Sequence, residues 1–323
     1  MEKTPFISYG MKIGIMGFGS IGTRHYGNMQ KYSSDIVVLS KRDDLDVPKV
    51  VKNWSEFVKA GPYDVIFITN ETYKHIPTLK RCLELKPKAI FIEKPLSHNL
   101  KDLPAVAKII RARKISVYIG YNFHFWKPYL RIKKIIESGK LGKIYYLKAF
   151  VGQDLRVWRK RDYRENYGVS RVRGGGVVLD LVHDINYPPW LLSDELVFKT
   201  SLVTKLSTLE SDTEDCAESV FTTKRNGTIV TVHQDYLRIP KKQAVEIAGE
   251  KGAVEWDATS NTIVLQIGDK ITKETILCER NEMFEDELGF FFGQVKKKTF
   301  FTNIDEAIRD MKLIYSIKKY AKK

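Results

Sequence analysis

Lys94 stands between Glu93 and Pro95 at the end of an apolar run. His183 follows Asp180 by three residues in the stretch Gly174-Gly-Gly-Val-Val-Leu-Asp180-Leu-Val-His183-Asp184. A lysine ammonium can hydrogen-bond a substrate hydroxyl and favour the deprotonated form of a neighbouring base. A histidine, with an ordinary pKa of about 6.5, suits the proton of an alcohol being oxidised. Read as one helix, the spacing places Asp180 on a face with both His183 and Asp184. The three glycines would let the chain pass close to a ligand. The plainer alternatives are a surface lysine in a turn and a capped helix with a buried, satisfied histidine.

A second constellation is the turn Gly17-Phe18-Gly19-Ser20-Ile21-Gly22, set between an apolar strand and a helix. In a dinucleotide fingerprint the first glycine permits the tight turn and the second admits the pyrophosphate. The third lets helix and strand pack closely, and the helix N-terminus offers its N–H groups to the phosphates. The motif alone is weak evidence, but here it has the strand-before, helix-after context it needs. At the end of the next strand an acidic residue would accept the ribose hydroxyls of NAD. The chain has Ser40, Lys41 and Arg42 there, suited to a 2′-phosphate, with Asp43 and Asp44 slightly later. NADP is therefore expected over NAD, and a solvated basic turn is the alternative.

The elements that must position these groups alternate. Apolar strands are expected at 12–16, 35–39, 64–69, 89–92 and 116–119, and helices at 20–31, 54–59, 73–85 and 100–113. That order predicts an α/β, doubly wound parallel sheet of Rossmann type over residues 1–122, binding its ligand beyond the carboxyl ends of the strands. After it, a helix over 128–138 leads into runs rich in β-branched residues at 143–151, 198–204, 217–223, 228–233, 244–248 and 262–267. Turn signals at Arg225-Asn-Gly227 and Glu250-Lys-Gly252 separate some of them, and a helix over 304–318 follows. Residues 123–323 are expected to form an α+β domain with an open, mostly antiparallel sheet, serving substrate binding and oligomerisation.

Composition bounds the partners. A hydrophobic fraction of 43% over 323 residues supports a folded chain with a sizeable core. The apolar runs are too short to span a bilayer, and the first ten residues lack an apolar signal region. Cys82, Cys216 and Cys278 are odd in number and widely spaced, which favours reduced thiols and a cytoplasmic setting. No metal site is expected. The net charge of +15 draws anions. Much of it lies on helical faces and in the tail, but Arg156, Arg159, Lys160, Arg161, Arg164, Arg171 and Arg173 cluster with Trp158, Tyr163 and Tyr167. Arginines interleaved with aromatics could grip a phosphate or stack on a base.

Taken together, GFGSIGTRH, TNETYKH, IFIEKPLS, GYNFHFWKP and GGGVVLDLVHDINY resemble the glucose–fructose oxidoreductase / inositol dehydrogenase (Gfo/Idh/MocA) family over nearly the whole chain. The resemblance implies a Rossmann domain followed by an open-faced sheet domain, assembled as a homodimer or homotetramer. It also implies NAD(P)-dependent oxidation or reduction at a sugar or polyol carbon. Lys94 matches the family's lysine and Asp180 its first helix acid; Lys94, Asp180 and His183 are the implied catalytic groups. Besides the glycine turn and Ser40–Arg42, the implied cofactor contacts are Thr69, Asn70, His75, Glu93, Lys94 and Asn122. Many members read Asp-x-x-x-His, whereas here the fourth position is Asp184 and the histidine comes one residue earlier. That pattern is similar to a subgroup of surface-sugar and nucleotide-sugar enzymes, in which Trp158-Arg159 and Asp162-Tyr-Arg-Glu165 also find counterparts. Glu71 and His124 stand where proline and arginine are frequent. Lys94, His124, Arg156, Trp158, Arg159, Tyr163, Asp180, His183 and Asp184 are the substrate-contact candidates, and the basic loop is expected to hold a diphosphate if the substrate carries one.

The expected function is hydride transfer between a nicotinamide and a secondary alcohol or ketone of a sugar, polyol or sugar nucleotide. A non-catalytic regulator sensing a dinucleotide is the alternative, although it would not need the lysine, aspartate and histidine together. A nucleic-acid-binding role finds no helix-turn-helix, zinc-finger or RNA-recognition signature.

Overall fold

A computed structural model describes residues 10–158 and 162–319, which divide into two compact units. One comprises the residues to Gly120 together with Phe284–Arg309; the other comprises Tyr121–Met283 and the residues from Asp310. The expected single boundary after residue 122 therefore gives way to a chain that returns to its first unit.

In the first unit six parallel strands are β1 (Lys12–Met16), β2 (Asp35–Leu39), β3 (Val50–Val51), β4 (Val65–Ile68), β5 (Ala89–Glu93) and β6 (Ser116–Gly120). Their order, β3-β2-β1-β4-β5-β6, reverses direction at β1, the topological switch point of a dinucleotide-binding sheet. Helices α1 (Ser20–Met29), α2 (Trp54–Lys59), α3 (His75–Glu84) and α4 (Leu103–Arg113) make the crossovers. Strands β4, β5 and β6 are buried along their whole length, as a sheet covered on both faces requires.

The returning segment explains itself by burial. Phe291 and Phe292, with Leu288 and Val295, join the core that includes Phe67 and Phe91. Phe67 and Phe91 stack at 4.8 Å, and Phe291 meets each edge-on at 5.5 Å. Farther on, Asn303 satisfies the edge strand β6 by accepting from Ile119 N at 2.8 Å and donating to its carbonyl at 2.9 Å. An unpaired edge is thereby closed within the unit.

The second unit is built on eight strands. They are β7 (Ile144–Gly152), β8 (Leu196–Thr204), β9 (Cys216–Thr223), β10 (Ile229–Asp235), β11 (Lys242–Gly249), β12 (Gly252–Asp257), β13 (Thr262–Ile267) and β14 (Lys270–Thr275). Their order is β14-β13-β12-β11-β7-β10-β9-β8, antiparallel except where β10 lies parallel to β7. Helix α5 (Lys127–Glu137) takes Pro128 in its first turn, where the missing N–H costs nothing. Its Tyr129 stacks on Tyr187 at 4.4 Å, with Trp256 edge-on to Tyr129 at 5.2 Å. Helices α9 (Glu282–Lys296) and α10 (Ile304–Lys318) end the described chain, and no described helix is long and apolar enough to cross a membrane.

Candidate active site

The first unit carries the cofactor features. Gly17 has φ +102°, and a Cβ there would lie 2.7 Å from the Asn70 Cα. At Gly22 a Cβ would meet the Gly17 carbonyl oxygen at 2.5 Å. Gly19 differs: a Cβ would meet nothing within 4 Å. Two glycines are thus required by the fold, while the third borders open space of the kind a pyrophosphate needs. Gly19 is also the residue before α1, makes no side-chain cap, and is followed by a first turn without acidic residues. The positive end of that helix is left uncompensated by side chains, as an anion site demands. Thr69 steadies the turn by donating its hydroxyl to Gly17 O at 2.7 Å. Next to it the Asn70 amide donates to Thr78 Oγ1, while its buried Oδ1 lacks a partner among the described residues. These residues fit a bound dinucleotide.

Beyond β2, Arg42 grips Asp44 through Nε and Nη2 at 2.9 and 2.6 Å and donates to Phe18 O at 3.2 Å. Asp43 is paired with Lys52 at 2.7 Å. Both acids that could accept ribose hydroxyls are therefore tied to cations. Ser40 accepts from Arg42 N at 3.3 Å, and Lys41 is exposed with no ion pair among the described residues.

Lys94 follows the last residue of β5, and both of its neighbours are held. Glu93 Oε1 lies 2.5 Å from Nε2 of His25, a histidine with no exposed surface on α1. The carbonyl of Pro95 lies 2.8 Å from His75 Nδ1, and the other ring nitrogen lies 2.9 Å from Asn70 O. Burial holds the His75 pKa below its ordinary value, against those carbonyl contacts. His75, expected as a cofactor contact, is instead a buried strut between two loops. His25 was absent from the expected site; its one signal was its place in GFGSIGTRH, which says nothing of a partner in β5.

The second unit carries the acid–base candidates, and one expectation about them fails. Asp180 and His183 do not share a helix: α7 (Val177–Asp180) ends, Leu181 turns with ψ +33°, and α8 (His183–Leu192) begins afresh. The Asp180 carboxylate accepts from Tyr167 OH at 2.6 Å and Tyr236 OH at 3.1 Å. Burial, with the Asp180 charge second, drives the Tyr236 phenol well above its ordinary pKa, so it stays a donor. His183 stacks on Phe123 at 4.2 Å and 13°. Asp184 is buried, and its charge adds to the burial that raises the Tyr129 and Tyr187 phenols.

The triple glycine has another purpose than ligand approach. Gly174 and Gly176 have φ +82° and +108°, and a side chain at Gly175 or Gly176 would collide with the Tyr167–Gly168 backbone or with Glu214. The motif locks the Tyr167 segment against α7, which is how Tyr167 comes to reach Asp180.

His124 stacks on Trp190 at 4.5 Å and hydrogen-bonds Asn186; burial pushes its pKa down to about 3. It is thereby held neutral and packed against Trp190. Asn122 is buried, and its side-chain oxygen lacks a partner among the described residues. The described arginines of the basic loop are paired within the chain. Arg156 is doubly bonded to Asp154, and Arg164 to Asp162 with Glu210 beside it. Arg171 and Arg173 donate to the backbone of Asp212 and Glu165. Tyr163 accepts from Glu210 N. Charges engaged this way are poorly placed to grip a phosphate. Trp158 lies edge-on to Tyr236 at 5.9 Å, while Arg159, with Lys160 and Arg161, lies outside the described residues.

Comparison with known proteins completes the picture. Residues 11–121 match the oxidoreductase family with an NAD-binding Rossmann fold, and residues 129–255 match the GFO/IDH/MocA C-terminal domain. A myo-inositol 2-dehydrogenase of Thermotoga maritima is 25% identical over 305 residues, covering 88% of each chain. An inositol 2-dehydrogenase of Rhizobium meliloti is 22% identical, covering 74% of this chain and 72% of its own. A 3-ketoreductase from Actinomadura kijaniata, crystallised with NADP and TDP-benzene, superposes with a TM-score of 0.83 at 14% identity, covering 97% of this chain and 98% of that one. A structure from gentamicin A biosynthesis in complex with NAD gives 0.82 at 15% identity, covering 99% and 96%. The last two show likeness of fold. The chain belongs to the GFO/IDH/MocA family of NAD(P)-binding oxidoreductases.

Proposed function

We propose that the protein is an NAD(P)-dependent dehydrogenase or reductase acting on a secondary alcohol or ketone of a sugar, polyol or sugar nucleotide. The observation that carries this reading is the fixed setting of Lys94: Glu93 is held by His25 and Pro95 by His75, on the unit whose glycine turn suits a dinucleotide. The inositol dehydrogenases and the ketoreductase among its relatives support the substrate class.

Gly17–Gly22, Ser40, Lys41, Thr69 and Asn70 would hold the dinucleotide. A bound NAD(P) supplies the hydride acceptor or donor. Lys94 polarises the reacting oxygen, His183 takes or returns the hydroxyl proton, and Asp180 orients the substrate or His183. The two tyrosines donating to Asp180 hold its carboxylate in one rotamer. NADP is preferred to NAD, because Asp43 and Asp44 are committed to Lys52 and Arg42 while Lys41 remains beside Ser40.

A cytoplasmic setting is favoured by the three unpaired cysteines, and assembly as a dimer or tetramer through the second unit's sheet by the family resemblance. The test is consumption of nicotinamide fluorescence across a panel of UDP-sugars and free polyols, with Lys94→Met as the variant. Turnover that survives in that variant removes the proposed role of the lysine.

A further inference from the structure

Glu214 is a buried carboxylate set against the triple glycine. Its side chain is 6% exposed, and a Cβ on Gly176 would collide with its carboxylate. Its backbone carbonyl accepts from Val177 N at 3.2 Å, at the start of α7, and Asp180 N donates to Gly176 O at 3.0 Å within the same turn. The neighbouring Thr213 donates its hydroxyl to Gly168 O at 3.1 Å, one residue from Tyr167. Burial first, then charges that include Asp180 and Glu214, raise the Tyr236 phenol, so the field of Glu214 reaches a group that donates to Asp180.

An acid so placed needs a cation, and among the described residues Lys318 supplies it. Its Nζ lies 2.8 Å from Glu214 Oε1, an ion pair by distance without an aligned hydrogen bond, and donates to Gly175 O at 3.3 Å. Lys318 is the last residue of α10, and that end of the helix is anchored. Ser201 on β8 donates to Ile317 O at 3.1 Å, and about two turns earlier the Asn186 amide on α8 donates to Asp310 at 2.8 Å. The closing helix thus meets α8, which His183 opens, through Asp310, and the glycine bend before Asp180 through Lys318. All of these residues belong to the second unit. Removing one partner of a buried pair leaves a charge without compensation. An unanswered Glu214 would turn toward water, and the bend it supports would loosen.

Resting on the dehydrogenase reading, we propose that Lys318 is a positioning residue for Asp180, acting through the Glu214 carboxylate and the Gly175 carbonyl. The last turn of the chain's final described helix then sets the geometry of the candidate site, besides closing the fold.

The test compares the full chain as wild type, Lys318→Met, Lys318→Arg and the double variant Lys318→Met/Glu214→Gln. Hydrogen exchange is read by mass spectrometry on peptides covering residues 166–184. Lys318→Met is expected to exchange about tenfold or more faster there, while the sheet strands keep wild-type protection. Arginine preserves the cation and the double variant removes the unanswered acid, so both should recover slow exchange. With the UDP-sugars or free polyols that wild type consumes, Lys318→Met should lose kcat about tenfold or more at unchanged NADPH affinity, and the other two variants should regain most of it. Wild-type exchange or undiminished kcat in Lys318→Met, faster exchange spread evenly over the second unit, or a loss that Glu214→Gln does not relieve overturns the proposal. Wild-type protein that consumes no sugar or polyol defeats the dehydrogenase reading alone, because the exchange pattern reads the hold on the bend without turnover.

Discussion

His25 on α1 and Glu93 at the end of β5 meet at 2.5 Å with the histidine wholly buried, which couples the helix that opens the glycine turn to the strand that presents Lys94. The rings of Phe91 and Phe67 enclose the histidine, with centroids at 5.1 and 5.7 Å. Removing one member of such a pair leaves a buried polar group without its partner. His25→Leu is expected to lower stability by about 3 kcal/mol in urea unfolding. It should also reduce turnover, because Glu93 no longer fixes its neighbour Lys94. Unchanged stability would show that the pair is not coupled as described.

The glycine turn allows folding and binding to be separated. Gly22→Ala places a methyl against the Gly17 carbonyl and should cost about 1–3 kcal/mol of stability as well as cofactor affinity. Gly19 has φ −83°, which alanine adopts freely, and open space at its Cβ. Gly19→Ala should therefore unfold like wild type while NADPH binding weakens by about tenfold or more, since the methyl occupies the phosphate's approach. Fluorescence titration beside thermal unfolding reads both.

Asp180 offers a graded series. Each phenol donates to a carboxylate, an interaction of about 1.5–3 kcal/mol. Tyr167→Phe should lower kcat about tenfold or more, and Asp180→Asn about a hundredfold or more, with NADPH affinity retained in both. If Tyr167→Phe turns over like wild type, the tyrosine packs against Asp180 without governing it.

His233 gives a pH dependence with a definite sign. Burial lowers its pKa, but hydrogen bonds to Asp235 and Glu218 outweigh it and raise the group to about 9. A raised folded pKa contributes stability below the unfolded value of about 6.5, and that contribution is lost as pH climbs toward 9. His124 acts oppositely, because its folded pKa of about 3 makes low pH unfavourable below about 6.5. The thermal midpoint should fall from pH 6.5 to 9 in wild type and fall less in His233→Gln.

Much of this was legible in the sequence because it rests on local pattern. The apolar strands, the glycine turn and the Glu-Lys-Pro corner each declare themselves within a few residues. What escaped had no local signature. Strand β14, Lys270–Thr275, is exposed at every position and so shows no apolar alternation. The break between Asp180 and His183 contains neither glycine nor proline, and the tyrosines that hold the Asp180 carboxylate, Tyr167 and Tyr236, lie elsewhere in the chain. The return of Phe284–Arg309 to the first unit and the pairing of His25 with Glu93 depend on contacts across long stretches of chain. Conversely, the arginine loop drew attention by composition, although its charges are answered by acids and carbonyls that composition cannot pair with them.

The most direct test of the account is nicotinamide fluorescence of the purified protein with NADPH and NADH, alone and with UDP-sugars or free polyols. The account predicts tight NADPH binding, consumption of the signal by a sugar-type alcohol or ketone in the matching redox direction, and loss of that turnover in Lys94→Met with cofactor binding preserved. Cofactor binding with no response to any sugar would favour a dinucleotide sensor, and binding of neither cofactor would contradict the reading from the glycine turn onward.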